Sequence, residues 1–436
     1  MKVPGGIADH VQGPRLLALI AELATLGARA DGGVNRQALT DFDIDARGFL
    51  AERARALGCT VSLDAAGNMF MRRAGVAQST GVATVAAVAT GSHIDTQPAG
   101  GKLDGAYGVC AGLEVIAALN DAGLSTLHPV EVVVWANEEG CRFAPGSLGS
   151  QAYVRPQALK GLVEARDSAG VRYADCVTRM RERLPQIEER VLGGTLHAFI
   201  EAHIEQGPVL EAAGLPIGIV SAIQGVRWFQ VRAEGEAAHA GTTPLAHRRD
   251  ALRALTPLIE KLYAASERNP ALRTTVGRIS VEPDSINTIP GAASFSIDMR
   301  HADADVLDRT EKLVRDWCAA PRHGCRLTVE RAMAMETTPF DEGIAGNLRE
   351  AAQSLDLPSM DLYSGAFHDA VHLARHCPTG MLFVPSHRGI SHNPAEHTDD
   401  ELLVAGARVL ALALARQAGA ILETDATAQA GASSNS

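Results

Sequence analysis

The chain has 436 residues, 46% of them hydrophobic and 21% charged, the balance of a folded globular protein long enough to expect two domains. Its 51 acidic residues outnumber 40 basic ones for a net charge of −11, which argues against nucleic acid or an anionic membrane as the main partner. There is no apolar run of about 18 residues and no basic N-terminal segment followed by an apolar core, so neither a membrane span nor a secretory signal is expected.

In chain order, helical spacing of apolar residues predicts helices over 15–26 and 44–57, followed by an alternating strand over 59–63. Residues 82–90 read as a buried strand ending at Gly91, and 107–122 as an Ala- and Leu-rich helix. Residues 129–136 are the clearest strand and deliver Asn137-Glu138-Glu139-Gly140. Strand, helix, strand in this order predicts an α/β fold, a mixed sheet flanked by helices. Further strands are expected at 197–204 and 380–385, a last helix at 399–416, and a frayed tail over 423–436.

The middle of the chain reads differently. Strands at 226–233, 274–281, 293–300 and 325–332, with helices at 250–266 and 303–319, give the order βαββαβ. That describes a small four-stranded α+β sheet with two helices on one face. The expected organisation is a discontinuous domain of residues 1–221 and 336–436 with an inserted domain over 222–335.

Two adjacent carboxylates ending a strand make sense where one holds a metal and the other handles a proton. His93, Asp104, Glu139, His203 and His392 each sit at or just after a predicted strand end or in the following loop, the edge where open α/β sheets bind ligands. Mixed imidazole and carboxylate donors suit Zn, Mn, Co or Ni better than Mg or Ca. Five ligands exceed one tetrahedral site but serve two ions if Asp104 bridges, and the neighbouring glycines give its loop room. Outside this set, Asp95 is expected to accept the second ring N–H of His93 through its carboxylate. Cys141, beside the carboxylate pair, is read as packing. The odd number of cysteines and the lack of a CxxC pair fit reduced thiols and a cytoplasmic setting.

These segments together resemble the hydantoinase/carbamoylase branch of the M20 metallopeptidase-like family. The resemblance rests on Gly91-Ser92-His93-Ile94-Asp95-Thr96, Gly101-Lys102-Leu103-Asp104-Gly105 and Asn137-Glu138-Glu139-Gly140. It continues through His203-Ile204-Glu205-Gln206-Gly207-Pro208 and Gly389-Ile390-Ser391-His392-Asn393-Pro394, and covers roughly residues 15–416. It implies a zinc-peptidase-like catalytic domain with a lid and dimerisation insert, and two divalent ions per subunit. One ion would be held by His93, Asp104 and His203, the other by Asp104, Glu139 and His392. Glu138 would be the general base and acid. In the insert, the segment from Gly235 through His239 to Pro244 resembles the lid motif, with His239 donating to the oxyanion. Gln206, Asn287 and Arg300 would bind the substrate.

The activity so implied is hydrolysis of a ureido C–N bond in an N-carbamoyl amino acid, allantoate or 3-ureidopropionate, by a homodimer. An M20 aminoacylase or peptidase is the first rival, and a metal-stabilised binding protein without catalysis the second. One departure stands out: Phe367, in Ser364-Gly365-Ala366-Phe367-His368-Asp369, replaces the glycine usual in that family. It bears on the substrate more than on the reaction.

Overall fold

The computed structural model describes residues 6–76 and 85–422. The beginning of the strand expected at 82–90 and the tail expected at 423–436 lie outside the described residues. The chain divides into two units, Met1–Ser221 with Phe340–Ser436 and Ala222–Pro339.

In the first unit, four parallel strands lie side by side in the order Thr379–Val384, Leu196–Ile204, Ala87–His93, Val130–Trp135. Their residues are almost all buried, as expected of strands covered on both faces. Antiparallel strands extend both edges: Ile217–Ile223 beside Thr379–Val384, and Met69–Arg73 then Thr60–Leu63 beside Val130–Trp135. One face of the sheet presents Val88, Val130, Val132, Val134, Ile200 and Leu382 to the helices Gly13–Thr25, Ala106–Asp121 and Asp400–Gln417. The other carries Phe70, Trp135 and Phe199 around Tyr153 of the helix Leu148–Val154; the Trp135 ring lies 5.3 Å from that of Tyr153.

Parallel pairing puts the C-terminal ends of all four central strands at one edge. His93 is the last residue of its strand, which runs on past Gly91 rather than stopping there. Gly91 makes that possible, because its φ of 131° is outside the usual range of L residues and a Cβ would lie 2.1 Å from the Val133 carbonyl oxygen.

The second unit is an antiparallel sheet of Gly225–Glu234, Ala292–His301 and Arg326–Met335, with Arg273–Thr275 and Ile279–Glu282 both paired to Ala292–His301. The strand expected over 274–281 is therefore interrupted. Thr275 pairs with Asp298 and Ile279 with Phe295, so four steps on one side oppose three on the other, a bulge around Gly277. Alternate residues Phe229, Val231, Phe295, Ile297 and Met299 pack on Leu255, Leu258 and Leu262 of Ala251–Arg268 and on Leu307 and Val314 of Ala304–Cys318. Both helices are capped by aspartates, Asp250 and Asp303, whose carboxylates accept main-chain N–H groups of the first turn. Residues 336–339 go with this unit. Thr337 donates to the Ala302 carbonyl at 2.6 Å, and Thr338 pairs with Ile223.

Among the described residues no helix is long and apolar enough to cross a membrane.

Candidate metal centre and active site

His93, Asp104 and His203 converge so that one donor atom from each lies within 4.8 Å of the others, and Asp104, Glu139 and His392 form a second such group. Asp104 belongs to both. Its two oxygens face different ways: Oδ1 lies 3.2 Å from His203 Nε2 and 3.8 Å from His93 Nε2, while Oδ2 lies 3.1 Å from His392 Nε2. Each oxygen of Asp104 thus faces its own imidazole partners. Glu139 Oε2 stands 3.3 Å from His392 Nε2, and Glu139 is held from behind by the Gln97 main-chain N–H at 3.1 Å and side-chain amide at 2.7 Å.

Main-chain carbonyls select the ring tautomers. His93 Nδ1 is 2.9 Å from the Asp95 carbonyl and His203 Nδ1 is 2.9 Å from that of Ile204, so both protons sit on Nδ1 and both Nε2 atoms turn inward. His392 adopts φ 54°, in the left-handed region.

Asp95 differs from expectation. Its main-chain oxygen, not its carboxylate, takes the His93 ring proton. The carboxylate instead accepts the N–H groups of Glu138 and Glu139, each at 3.2 Å, and so aims the carboxylate pair. The reason is geometric. His93 closes its strand, and beyond the ladder the Asp95 side chain meets the end of the neighbouring strand at Glu138 and Glu139.

The electrostatics are those of a site built for cations. Burial drives Glu138 well above the usual carboxylate range, with repulsion from Asp369, Glu139, Asp95 and Asp104 adding to it. Burial and then Asp104 push Glu139 up to about 8. Burial opposes ionisation of Asp104 too, but hydrogen bonds to His203 and His392 hold it well below the ordinary value. Burial lowers His93 to about 4, whereas the bond to Asp104 raises His392 to about 9. Asp95, Asp104, Glu138 and Glu139 thus share a buried space with imidazoles, one of them neutral, as partners. Divalent cations would relieve that excess of negative charge, and the mixed donors fit Zn, Mn, Co or Ni better than Mg or Ca.

Gln206 lies within this centre. Its side-chain amide donates to Asp104 Oδ2 at 3.0 Å, and its buried oxygen has no hydrogen-bond partner among the described residues. The Cys141 thiol is pushed up to about 12 by burial and then by Asp95 and Glu139, in keeping with packing rather than nucleophilic work.

No role was expected of Glu201, His368 or Glu396. Glu201 and His368 form a third convergent group with His203. Protein groups already engage them: Glu201 meets the Ser92 hydroxyl at 2.6 Å and the Ala370 N–H at 3.1 Å, and His368 Nε2 meets the Ser364 hydroxyl at 3.0 Å. A charged residue in the middle of an otherwise apolar strand was the available signal for Glu201.

His239, Asn287 and Arg300 lie in the second unit. Ala238–His239 pairs with Thr288–Ile289, and the Asn287 carbonyl accepts from Ala240 at 2.9 Å, so His239 and Asn287 are neighbours. His239 Nδ1 accepts the N–H groups of Gly241 at 3.0 Å and Thr242 at 3.3 Å, which puts the ring proton on Nε2. Arg300 sits on Ala292–His301 with its Nη2 bonded to Asp298 at 2.8 Å.

A profile of peptidase family M20/M25/M40 matches residues 89–416. The N-carbamoyl-L-amino acid amidohydrolase of Geobacillus stearothermophilus is 40% identical over 408 residues, 92% of this chain and 97% of that protein. The allantoate amidohydrolase of Bacillus subtilis is 36% identical over 417 residues, 94% and 97% of the two chains. A crystal structure of a hydantoinase/carbamoylase family amidase from Burkholderia multivorans superposes with a TM-score of 0.86 at 42% identity, covering 94% of this chain and 98% of that one. The matches span nearly the whole chain, including every strand end that carries a candidate ligand, and the protein belongs to the M20/M25/M40 peptidase family, in its branch of hydantoinase/carbamoylase amidases.

Proposed function

We propose that this protein is a metal-dependent amidohydrolase that cleaves the ureido C–N bond of an N-carbamoyl amino acid or a related ureido acid such as allantoate. The observation that carries the reading is Asp104, whose two oxygens serve two imidazole groups at the strand-end edge, with Glu138 beside them. The kinship to carbamoyl amino acid and allantoate amidohydrolases supports the substrate class.

In this reading His93, Asp104 and His203 would hold one divalent ion, and Asp104, Glu139 and His392 would hold another. When bound, the ions supply Lewis acidity toward water and the substrate carbonyl. The Glu138 side chain is only 9% exposed, and its Oε2 is 3.5 Å from His93 Nε2. Its raised proton affinity suits a group that takes the proton of the attacking water and passes it to the leaving nitrogen as the C–N bond breaks. Asp95 fixes its main chain for that transfer. His239, its proton on Nε2, donates to the developing oxyanion, a contribution of about 3 kcal/mol for one such donor. Asn287 and Arg300 bind the substrate carboxylate, with Asp298 orienting the guanidinium. Gln206 steadies Asp104 and offers its unpartnered oxygen to the ureido N–H groups. The seven unpaired cysteines accord with a reducing, cytoplasmic setting.

The test is a substrate panel after reconstitution with Zn, Mn, Co or Ni. N-carbamoyl-L-amino acids, allantoate and 3-ureidopropionate are compared with N-acetyl amino acids. A kcat/KM about tenfold or more higher on at least one ureido substrate is expected. Preference for the acetyl compounds would move the assignment to an aminoacylase. The proposal also includes a homodimer formed through residues 222–339. Light scattering should give twice the mass of one chain, and a monomer at micromolar concentration would remove that part.

A further inference from the structure

Glu396 belongs to the loop that carries His392, yet its side chain reaches into the loop that carries Asp104. It is 4% exposed. Oε1 accepts the main-chain N–H groups of Leu103 at 2.8 Å and Asp104 at 3.1 Å. Oε2 faces the Ser391 hydroxyl at 2.9 Å, and that hydroxyl is also 3.1 Å from Asp104 Oδ2. One carboxylate therefore grips the residue before His392 and the main chain of the shared ligand.

Gly101 makes the grip possible. A Cβ there would lie 2.1 Å from Glu396 Oε1, so only glycine admits the carboxylate. The room foreseen around the Asp104 loop is thus filled by Glu396. The loop is also closed at its base, where His387 donates to the His397 carbonyl at 2.8 Å and Thr398 to that of Pro385 at 2.7 Å. At its tip, His392 is in a left-handed conformation that persists only where its surroundings hold it. The His93 and His203 rings are set outside this loop, since His93 ends one central strand, His203 lies one residue before the end of another, and each ring bonds a carbonyl within its own segment.

We propose that Glu396 is a positioning residue that locks the Asp104 loop to the His392 loop, and so acts chiefly on the Asp104–Glu139–His392 group, of which it holds two members, and less on the His93–Asp104–His203 group, of which it holds Asp104 alone. This rests on the two-ion reading above.

The test is Zn²⁺ binding by the full-length protein, measured by chelator competition and elemental analysis on wild type, Glu396→Ala, Glu396→Gln and Gly101→Ala. A wild type that takes up one ion would remove the two-ion reading itself, apart from anything Glu396 does. With two ions in wild type, Glu396→Ala should keep one within about threefold of wild-type affinity and bind the other about 10–100-fold more weakly. Gly101→Ala should reproduce that loss by displacing the carboxylate. Glu396→Gln should stay within about threefold of wild type, because its amide oxygen still accepts from Leu103 and Asp104 and its NH₂ donates to Ser391. Wild-type affinity for both ions in Glu396→Ala, or equal weakening of both, overturns the proposal. If Glu396→Ala does not fold, Gly101→Ala decides: it displaces the carboxylate from the Leu103 and Asp104 amides while the side chain itself is kept. It should weaken the same ion preferentially, and unchanged binding in it overturns the proposal.

Discussion

Replacing Glu138 with Gln should lower kcat by about 10²–10⁴-fold while metal content stays at the wild-type level. Gln preserves the side-chain volume and the main-chain N–H bond to Asp95, so the strand end keeps its shape. What disappears is the group able to accept a proton and return it. Glu138 is well suited to that exchange, being largely buried and pressed by Asp369, Glu139, Asp95 and Asp104 toward holding a proton. Steady-state turnover of the best ureido substrate, with elemental analysis of the same preparation, checks it. Unchanged turnover with full metal content would rule out Glu138 as the proton carrier; lost turnover with lost metal would recast it as a ligand.

Asp104→Ala should abolish binding at both ion sites rather than one. Both groups proposed to hold an ion contain Asp104, and its two oxygens face His203 and His392 separately. Wild type should gain stability on adding the ion, about 2.7 kcal/mol at a hundredfold excess over Kd. The variant should gain none of it, and turnover should fall to background. Thermal denaturation with and without metal, beside ion counting, gives the answer. One tightly bound ion in the variant would refute the bridging role. His203→Ala and His392→Ala, by contrast, each remove a ligand from one group only.

The two outcomes draw on parts of the protein that differ in how openly the chain displays them. The buried run Val130–Trp135 and the helix Ala106–Asp121 are plain in hydrophobic pattern, because residues covered on all sides leave a continuous apolar signal. The short helices Leu148–Val154 and Ala370–Leu373 and the strand Met69–Arg73 were not anticipated. Each is too brief for its own periodicity to stand out, and each is held by packing on the central sheet. The bulge at Gly277 likewise follows from pairing with Asp298 and Phe295, partners that lie downstream in the chain.

By itself, the sequence determined the chemistry available. It supplied imidazoles and carboxylates at strand ends, an adjacent pair at Glu138 and Glu139, and glycines where loops must approach closely. These are local properties of residue type and spacing. Only the tertiary structure decided which groups meet. Strand order in the sheet is not chain order: Ala87–His93 lies between Val130–Trp135 and Leu196–Ile204, with Thr379–Val384 beyond. That order turns Asp104 toward both His203 and His392, assigns the Asp95 carboxylate to the Glu138 and Glu139 amides, and carries Glu396 to the Asp104 loop from 292 residues away. Hydrogen bonds reach about 3 Å, so partners this remote in sequence are chosen by the sheet that brings them within range.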